Sequence, residues 1–385
     1  MFLHIQQDWR TLSLLSRGLE EHIDLNGRYG VVTAPLKNGQ VDAGELERRI
    51  KEAYRPSMQG LMVYDPDGRF LTYVSLEDIK AMTGKRNEKE KPRFHGAYGI
   101  VLTPFKEDGK VDYEELEKQL DIVSDSTIQG LVVCGSTGEF TYLSREETRE
   151  VMTFSKKVIA GRKELICGAT AANCYETIQL LKFCEELGAD GALVAPPFYF
   201  PLSDNDVLDF YTEIANAPGE LPIIAYQIPQ CTSSISMNVY QELLKLPRIR
   251  GIKNSSGNVL QIMQQITLRN EVRKDFAVLT GSDESIYALV NCGADGSFTA
   301  IGYLYPELIA NVYKNLKNEK GLEYQEIVVK LAALAGSIPY PLGYKILGEA
   351  SGRMDFGKYL QAVSKERMKQ YELVKCRMQD ILKQM

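Results

Sequence analysis

From Tyr98 onward, short continuous apolar runs alternate with longer stretches of mixed polarity. The runs fall at 99–102, 130–134, 165–168, 191–195, 223–226, 249–253, 277–281 and 296–300. Turn formers bound each run, as expected of strands buried on both faces. Between them, 114–123, 146–159, 174–187 and 207–215 carry apolar residues at helical spacing. Eight β-α units in succession predict an α/β fold, a (β/α)8 TIM barrel over 95–318. A doubly wound open sheet is the second possibility, but no Gly-x-Gly-x-x-Gly follows the first run. Beyond Pro306 the pattern is helical, giving a C-terminal helical region over 319–385, with 358–384 a long charged amphipathic stretch.

Residues 1–94 read as an appended segment. Trp9, Leu12, Leu14, Leu15 and Leu19 could share one face of an amphipathic helix. Residues 27–82 then look like a partial copy of 96–152. Residues 27–37 resemble 96–106, 38–47 resemble 108–117, 59–64 resemble 129–134, and 71–75 resemble 140–144. The copy predicts strand, helix, strand and the start of another helix. Where the second copy has Gly135-Ser136-Thr137-Gly138-Glu139, the first has Asp65-Pro66-Asp67-Gly68-Arg69, so both hydroxyls and the acid are lost. The first copy is expected to be structural, a degenerate βαβ repeat. Residues 84–93, almost wholly polar or charged, make a natural linker.

Composition narrows the function. A net charge of -6 gives no reason to expect nucleic acid or an anionic membrane as partner. No apolar run approaches the ~18 residues of a membrane span, and the amino terminus lacks the regions of a signal peptide. Seven cysteines, odd in number and without a Cys-x-x-Cys pair, fit reduced thiols in the cytosol. The three histidines stop at His95, so a site in 96–385 has no imidazole as metal ligand or base. Its acid–base work falls to Lys, Tyr, Glu or Asp, and no metal or cofactor is expected.

Three stretches carry candidate chemistry. The sixth run, 249–253, ends on Lys253 before a Ser-Ser-Gly-Asn turn, which puts the lysine at the mouth of a parallel barrel. Desolvation there disfavours the ammonium and leaves a nucleophilic amine, the group that Schiff-base chemistry requires. The bland alternative is a lysine that snorkels to solvent. After the second run, Gly135 and Gly138 flank Ser136 and Thr137, so backbone N–H groups and hydroxyls can hold a carboxylate. The same residues also make an ordinary tight turn. After the fifth run, Tyr226 can shuttle protons beside an amine, or simply pack in the core.

In combination these motifs resemble the N-acetylneuraminate lyase / dihydrodipicolinate synthase superfamily of class I aldolases. The resemblance rests on Gly135–Glu139, 197–201 (Pro-Phe-Tyr-Phe-Pro), 226–229 (Tyr-Gln-Ile-Pro) and 251–257 (Gly-Ile-Lys-Asn-Ser-Ser-Gly), and spans about 96–365. It implies that Lys253 forms the Schiff base with pyruvate or another 2-oxo acid, and that Tyr226 relays protons. It implies that Ser136 links Tyr226 to a second tyrosine, that Thr137 with Gly135 holds the carboxylate, and that Tyr199 reaches a neighbouring subunit's site. A homo-oligomer, dimer or tetramer, follows from that last role.

Two departures bear on the second substrate. Cys231 stands where the synthases carry an arginine for the aldehyde's carboxylate. Gly281-Ser282-Asp283-Glu284 keeps the glycine and both acids that hold a sugar tail in sialic acid lyases, while Ala300 replaces a serine of theirs. Both acids could equally serve a helix N-terminus. The resulting expectation is a pyruvate-dependent lyase acting on a sugar-acid or sialic-acid-like substrate with an aldehyde partner. The alternatives are dihydrodipicolinate synthase, a 2-keto-3-deoxy sugar acid dehydratase and a catalytically silent binding homologue.

Overall fold

The structure, a computed structural model, describes residues 29–33, 36–37, 40–41, 43–53, 60–64, 70–75 and 92–383. The chain divides into two compact units between Lys91 and Pro92. The expected helix around Trp9, and the linker up to Lys91, lie outside the described residues.

In the first unit, β1 (Tyr29–Thr33) is followed by β2 (Leu36–Lys37), β3 (Gln40–Val41), α1 (Ala43–Ala53), β4 (Gly60–Tyr64) and β5 (Phe70–Ser75). Strands β1 and β4 pair in parallel, with Val32 opposite Val63, and Val32, Ile50, Leu61 and Val63 are buried. This is the strand–helix–strand start that the repeat predicts. Its continuation differs: 70–75 is a strand antiparallel to β4, not the approach to a helix. The alternating, aromatic and β-branched sequence Phe70-Leu71-Thr72-Tyr73-Val74-Ser75 suits a strand, and Asp67-Gly68 before it has hairpin composition.

The second unit begins with β6 (Gly96–Ile100), α2 (Tyr113–Ser124), β7 (Gly130–Val133), α3 (Arg145–Ile159) and β8 (Glu164–Gly168). It continues through α4 (Cys174–Glu186), β9 (Gly191–Val194), α5 (Asp204–Asn216), β10 (Ile223–Gln227), α6 (Met237–Leu243), β11 (Ile249–Asn254) and α7 (Val259–Val272). Strand β12 (Ala277–Thr280), α8 (Ile286–Asn291) and β13 (Gly296–Thr299) complete the alternation. All neighbours pair in parallel, and β13 pairs with β6 to close an eight-stranded (β/α)8 barrel. The first barrel strand lies slightly earlier than the 99–102 run predicts, because Gly96–Gly99 supply the pairing with β13.

Strand residues alternate between two buried shells. Ile100, Val132, Ile166, Leu193, Ile224 and Leu279 fill the barrel interior, while Leu131, Leu165, Ala192, Val194 and Val278 pack outward against the helices. Tyr98 and Phe298, with ring centroids 4.5 Å apart, also fill the interior. Helices start where the sequence offers caps: Ser144 with Glu147 and Ser203 with Asp206 form capping boxes before α3 and α5.

After the barrel come α9 (Ile301–Leu304), α10 (Pro306–Lys314), α11 (Glu319–Gly336), α12 (Leu342–Ala350) and α13 (Lys365–Leu382). The amphipathic stretch expected from 358 becomes helical only at Lys365, where Ser364 caps it. Helix α12 is tied to the barrel by a buried ion pair between Lys345 Nζ and Glu139 Oε2. Burial pushes the Glu139 carboxyl up and the Lys345 amine down, and each charge opposes the other's shift. Phe105 lies under the ammonium, 4.5 Å from Nζ to ring centroid.

Removing one partner strands the other charge in the interior, so Lys345→Met should destabilise the protein by about 3–5 kcal/mol in urea unfolding. The double variant Glu139→Gln/Lys345→Met should regain most of that loss. A single variant of near wild-type stability would show that the pair is not desolvated.

Candidate active site

The catalytic candidates lie at the carboxyl ends of adjacent strands. In the register of β10 and β11, Tyr226 stands opposite Lys253. Lys253 is 2% exposed, with its Nζ 4.1 Å from the centroid of the Tyr226 ring. Gly281, directly after β12, leaves room for the lysine stem: a Cβ there would come within 2.9 Å of Lys253 Cε. The strand ends are held from behind by amides. Asn254 Nδ2 donates to Gln265 at 3.0 Å, and Asn254 Oδ1 accepts from the N–H and hydroxyl of Ser256. Gln227 Oε1 accepts the Ile235 N–H at 2.5 Å, which fixes the β10–α6 loop.

The Gly-Ser-Thr-Gly-Glu loop after β7 is tightly set. Thr103 donates to the Gly138 carbonyl at 2.7 Å, and a Cβ on Gly138 would meet the Val101 carbonyl at 2.8 Å. Cys134 (φ 54°) and Glu139 (φ 58°) bracket the loop in the left-handed region, a conformation that costs energy outside glycine. Thr137 is buried and its hydroxyl lies 2.9 Å from the Tyr340 hydroxyl. Ser136 is half-buried, and no hydrogen bond joins it to Tyr226 or Tyr199. Tyr199 (φ 79°) is 87% exposed and packs edge-to-face on the exposed Phe200, centroids 5.0 Å apart. The structure thus brings Lys253 and Tyr226 together, while Tyr199 faces outward.

The two acids after β12 part company. Glu284 is exposed. Asp283 is buried: one carboxylate oxygen accepts the Ile301 N–H at 3.2 Å and the other accepts the Tyr344 hydroxyl at 3.2 Å. Where the sequence suggested an acid open to a substrate, Asp283 is therefore engaged by the start of α9 and by α12. Cys231 is exposed.

Three residues around this end of the barrel escaped the sequence reading: Tyr340, Tyr344 and Lys345. They come from the segment before α12 and from α12 itself, far along the chain. Pro339-Tyr340-Pro341 signals a helix break, but nothing in its spacing says that the break reaches the β7 loop.

Burial, followed by the neighbouring Glu284 charge, pushes the Asp283 carboxyl up from 3.8 to about 7. The folded chain then keeps a proton that the unfolded chain releases. This group's stabilising contribution is full below about pH 4 and is lost as pH rises towards 7. Asp283→Asn, neutral throughout, should gain in melting temperature relative to wild type as pH rises from about 5 to about 8. A difference independent of pH would show that Asp283 titrates normally.

Residues 93–361 match the Dihydrodipicolinate synthetase family. The chain is 35% identical over 236 residues to an uncharacterized DapA-like lyase of Thermococcus kodakarensis, covering 61% of this chain and 80% of that protein. It is 31% identical over 267 residues to a 4-hydroxy-tetrahydrodipicolinate synthase of Alkaliphilus oremlandii, covering 68% and 90%. A solved dihydrodipicolinate synthase from Acinetobacter baumannii, complexed with pyruvate, superposes with a TM-score of 0.68 at 27% identity, over 74% of this chain and 99% of that one. The matched span holds the whole barrel, Lys253, Tyr226 and the Gly135–Glu139 loop, and omits the first unit. By its barrel and its matched sequence, this chain belongs to the dihydrodipicolinate synthetase family and is a lyase of that family.

Proposed function

We propose that this lyase is a class I aldolase that forms a Schiff base between Lys253 and a 2-oxo acid, pyruvate in the simplest case. The observation that carries this is the buried Lys253 amine beside the Tyr226 ring at the carboxyl ends of two adjacent strands. The Lys253 amine adds to the C2 carbonyl and water leaves, giving a protonated imine. That imine accepts the electron pair of the breaking C3–C4 bond, so an aldehyde departs and an enamine remains. Protonation at C3 and hydrolysis of the imine release pyruvate and free the lysine. Tyr226 takes the proton from the C4 hydroxyl as the bond breaks, and condensation runs the same steps in reverse. Thr137 and the Gly135 backbone receive the carboxylate, Ser136 supports the proton relay, and no cofactor enters the cycle.

The compound cleaved is a sugar-acid or sialic-acid-like 2-oxo acid, and the aldehyde it releases is the second substrate of the reverse condensation. Gly281 and Glu284 border that end of the site, with Asp283 bracing it from beneath. Synthase activity on aspartate semialdehyde, the second reading, is favoured by the name of the Alkaliphilus relative. Against it, Cys231 offers no cation for the aldehyde's carboxylate. The exposed Tyr199–Phe200 pair supports a dimer or tetramer in which Tyr199 completes a neighbour's site. The appended segment, residues 1–94, contributes to assembly and not to chemistry. Seven free cysteines support a cytosolic location.

Incubation with pyruvate and borohydride should attach one reduced pyruvate per chain, on Lys253, and Lys253→Ala should take none. Labelling elsewhere refutes the assignment, and absence of any adduct across a panel of 2-oxo acids favours a silent homologue. Pyruvate with aspartate semialdehyde should turn over ~10- to 150-fold more slowly than with the preferred aldehyde. That is the effect of a missing bidentate pair of about 1.5–3 kcal/mol. Fast synthase turnover would promote the second reading.

A further inference from the structure

Tyr340 occupies a position that the reaction above leaves unexplained. It precedes α12, and its ring packs edge-to-face on Tyr344, centroids 6.3 Å apart. Tyr344 in turn donates to Asp283 after β12. At the other end, the Tyr340 hydroxyl meets Thr137 Oγ1 at 2.9 Å. Two tyrosines of the C-terminal region therefore bridge the loop after the second barrel strand and the loop after the seventh. Tyr340 is 44% exposed, yet its hydroxyl turns to a threonine that is 4% exposed.

The direction of the hydrogen bond between Tyr340 and Thr137 decides what it does. A phenol is far more acidic than an aliphatic alcohol and is the better donor, while the alcohol oxygen is the better acceptor. Tyr340 therefore donates and Thr137 accepts. This saturates a lone pair of Thr137 and leaves its only hydrogen free. Accepting a hydrogen bond also polarises the threonine O–H, which strengthens what it donates next. A free, polarised O–H is what an incoming carboxylate requires, whereas an unassisted threonine could turn its hydrogen to a nearby carbonyl.

We infer that Tyr340 is a positioning residue that aims the Thr137 hydroxyl at the carboxylate of the 2-oxo acid, and so sets the preference for acids over uncharged ketones. This rests on the Schiff-base reading of Lys253. Tyr340 touches Thr137 and not the reacting atoms, so its effect falls on capture of the acid and not on the chemistry of the imine.

The test uses the full chain, Tyr340→Phe and cyanoborohydride, following the rate of label on Lys253 against the concentration of two probes. Pyruvate carries the carboxylate; acetone presents the same ketone without it. In Tyr340→Phe, half-saturating pyruvate should rise ~3- to 10-fold with the maximal rate unchanged, the loss expected for one neutral hydrogen bond. The acetone rate should match wild type, which also shows that the variant's lysine site is intact. Equal losses with both probes would reduce Tyr340 to a packing residue and overturn the inference. Unchanged pyruvate capture would overturn it too. Faster pyruvate labelling would show that Tyr340 competes with the carboxylate for Thr137, and would overturn the inference as well. Wild type that takes no label from any 2-oxo acid removes the Schiff-base reading and this inference with it, whereas wild type that labels while the variant behaves identically removes the inference alone.

Discussion

The buried pair between Lys345 and Glu139 fixes how the two halves of the site meet. Glu139 closes the Gly-Ser-Thr-Gly-Glu loop, and Lys345 sits one residue from Tyr344 on α12. Two charges removed from water need each other, so neither element can move without exposing the other to a large desolvation cost. Such a pair adds little net stability over a well-packed apolar pair. Its effect here is geometric, because it holds the segment that carries Tyr340 and Tyr344 against a loop made almost wholly of small residues. The left-handed residues Cys134 and Glu139 belong to the same arrangement, since strained backbone persists only where its surroundings hold it.

The lysine itself is placed by simpler means. Parallel register sets Tyr226 beside Lys253, and the absence of a side chain at Gly281 gives the stem its channel. Asn254, Gln227 and Gln265 then hold the strand ends through neutral amide hydrogen bonds. Gln227, which follows Tyr226, anchors the chain as it leaves β10 by accepting the Ile235 N–H.

Much of this was legible in the sequence, for identifiable reasons. A barrel strand buried on both faces is an uninterrupted apolar run, so all eight strands stood out, and residues at their carboxyl ends could be assigned to one face. That logic placed Lys253, Tyr226 and Thr137 at the carboxyl ends of the strands, where the structure has them. It could not find Tyr340, Tyr344 or Lys345, which approach from helices beyond the barrel and whose spacing holds no information about what they touch. It also left open which way the acids after β12 face: Asp283 turned inward because Ile301 N and Tyr344 supply partners that local sequence does not reveal. Strand β5 was missed because similarity to 140–144 suggested a turn into a helix, whereas the free edge of β4 offered a ladder to pair with.

The two copies of the barrel's opening carry a lesson about closure. Both build a strand, a helix and a parallel strand, yet one enters an eight-membered ring, while among the described residues the other forms a three-stranded sheet in the order β1-β4-β5. What separates these outcomes is the sequence after the second strand: residues 135–139 lead on into the helix Arg145–Ile159, whereas Phe70–Ser75 has the alternation of a strand. In the second copy β7 keeps its far edge for the parallel strand β8, whereas in the first copy β5 covers the far edge of β4 antiparallel. One opening of strand, helix and strand is thus compatible with a closed ring and with an open sheet, and the segment that comes next decides between them.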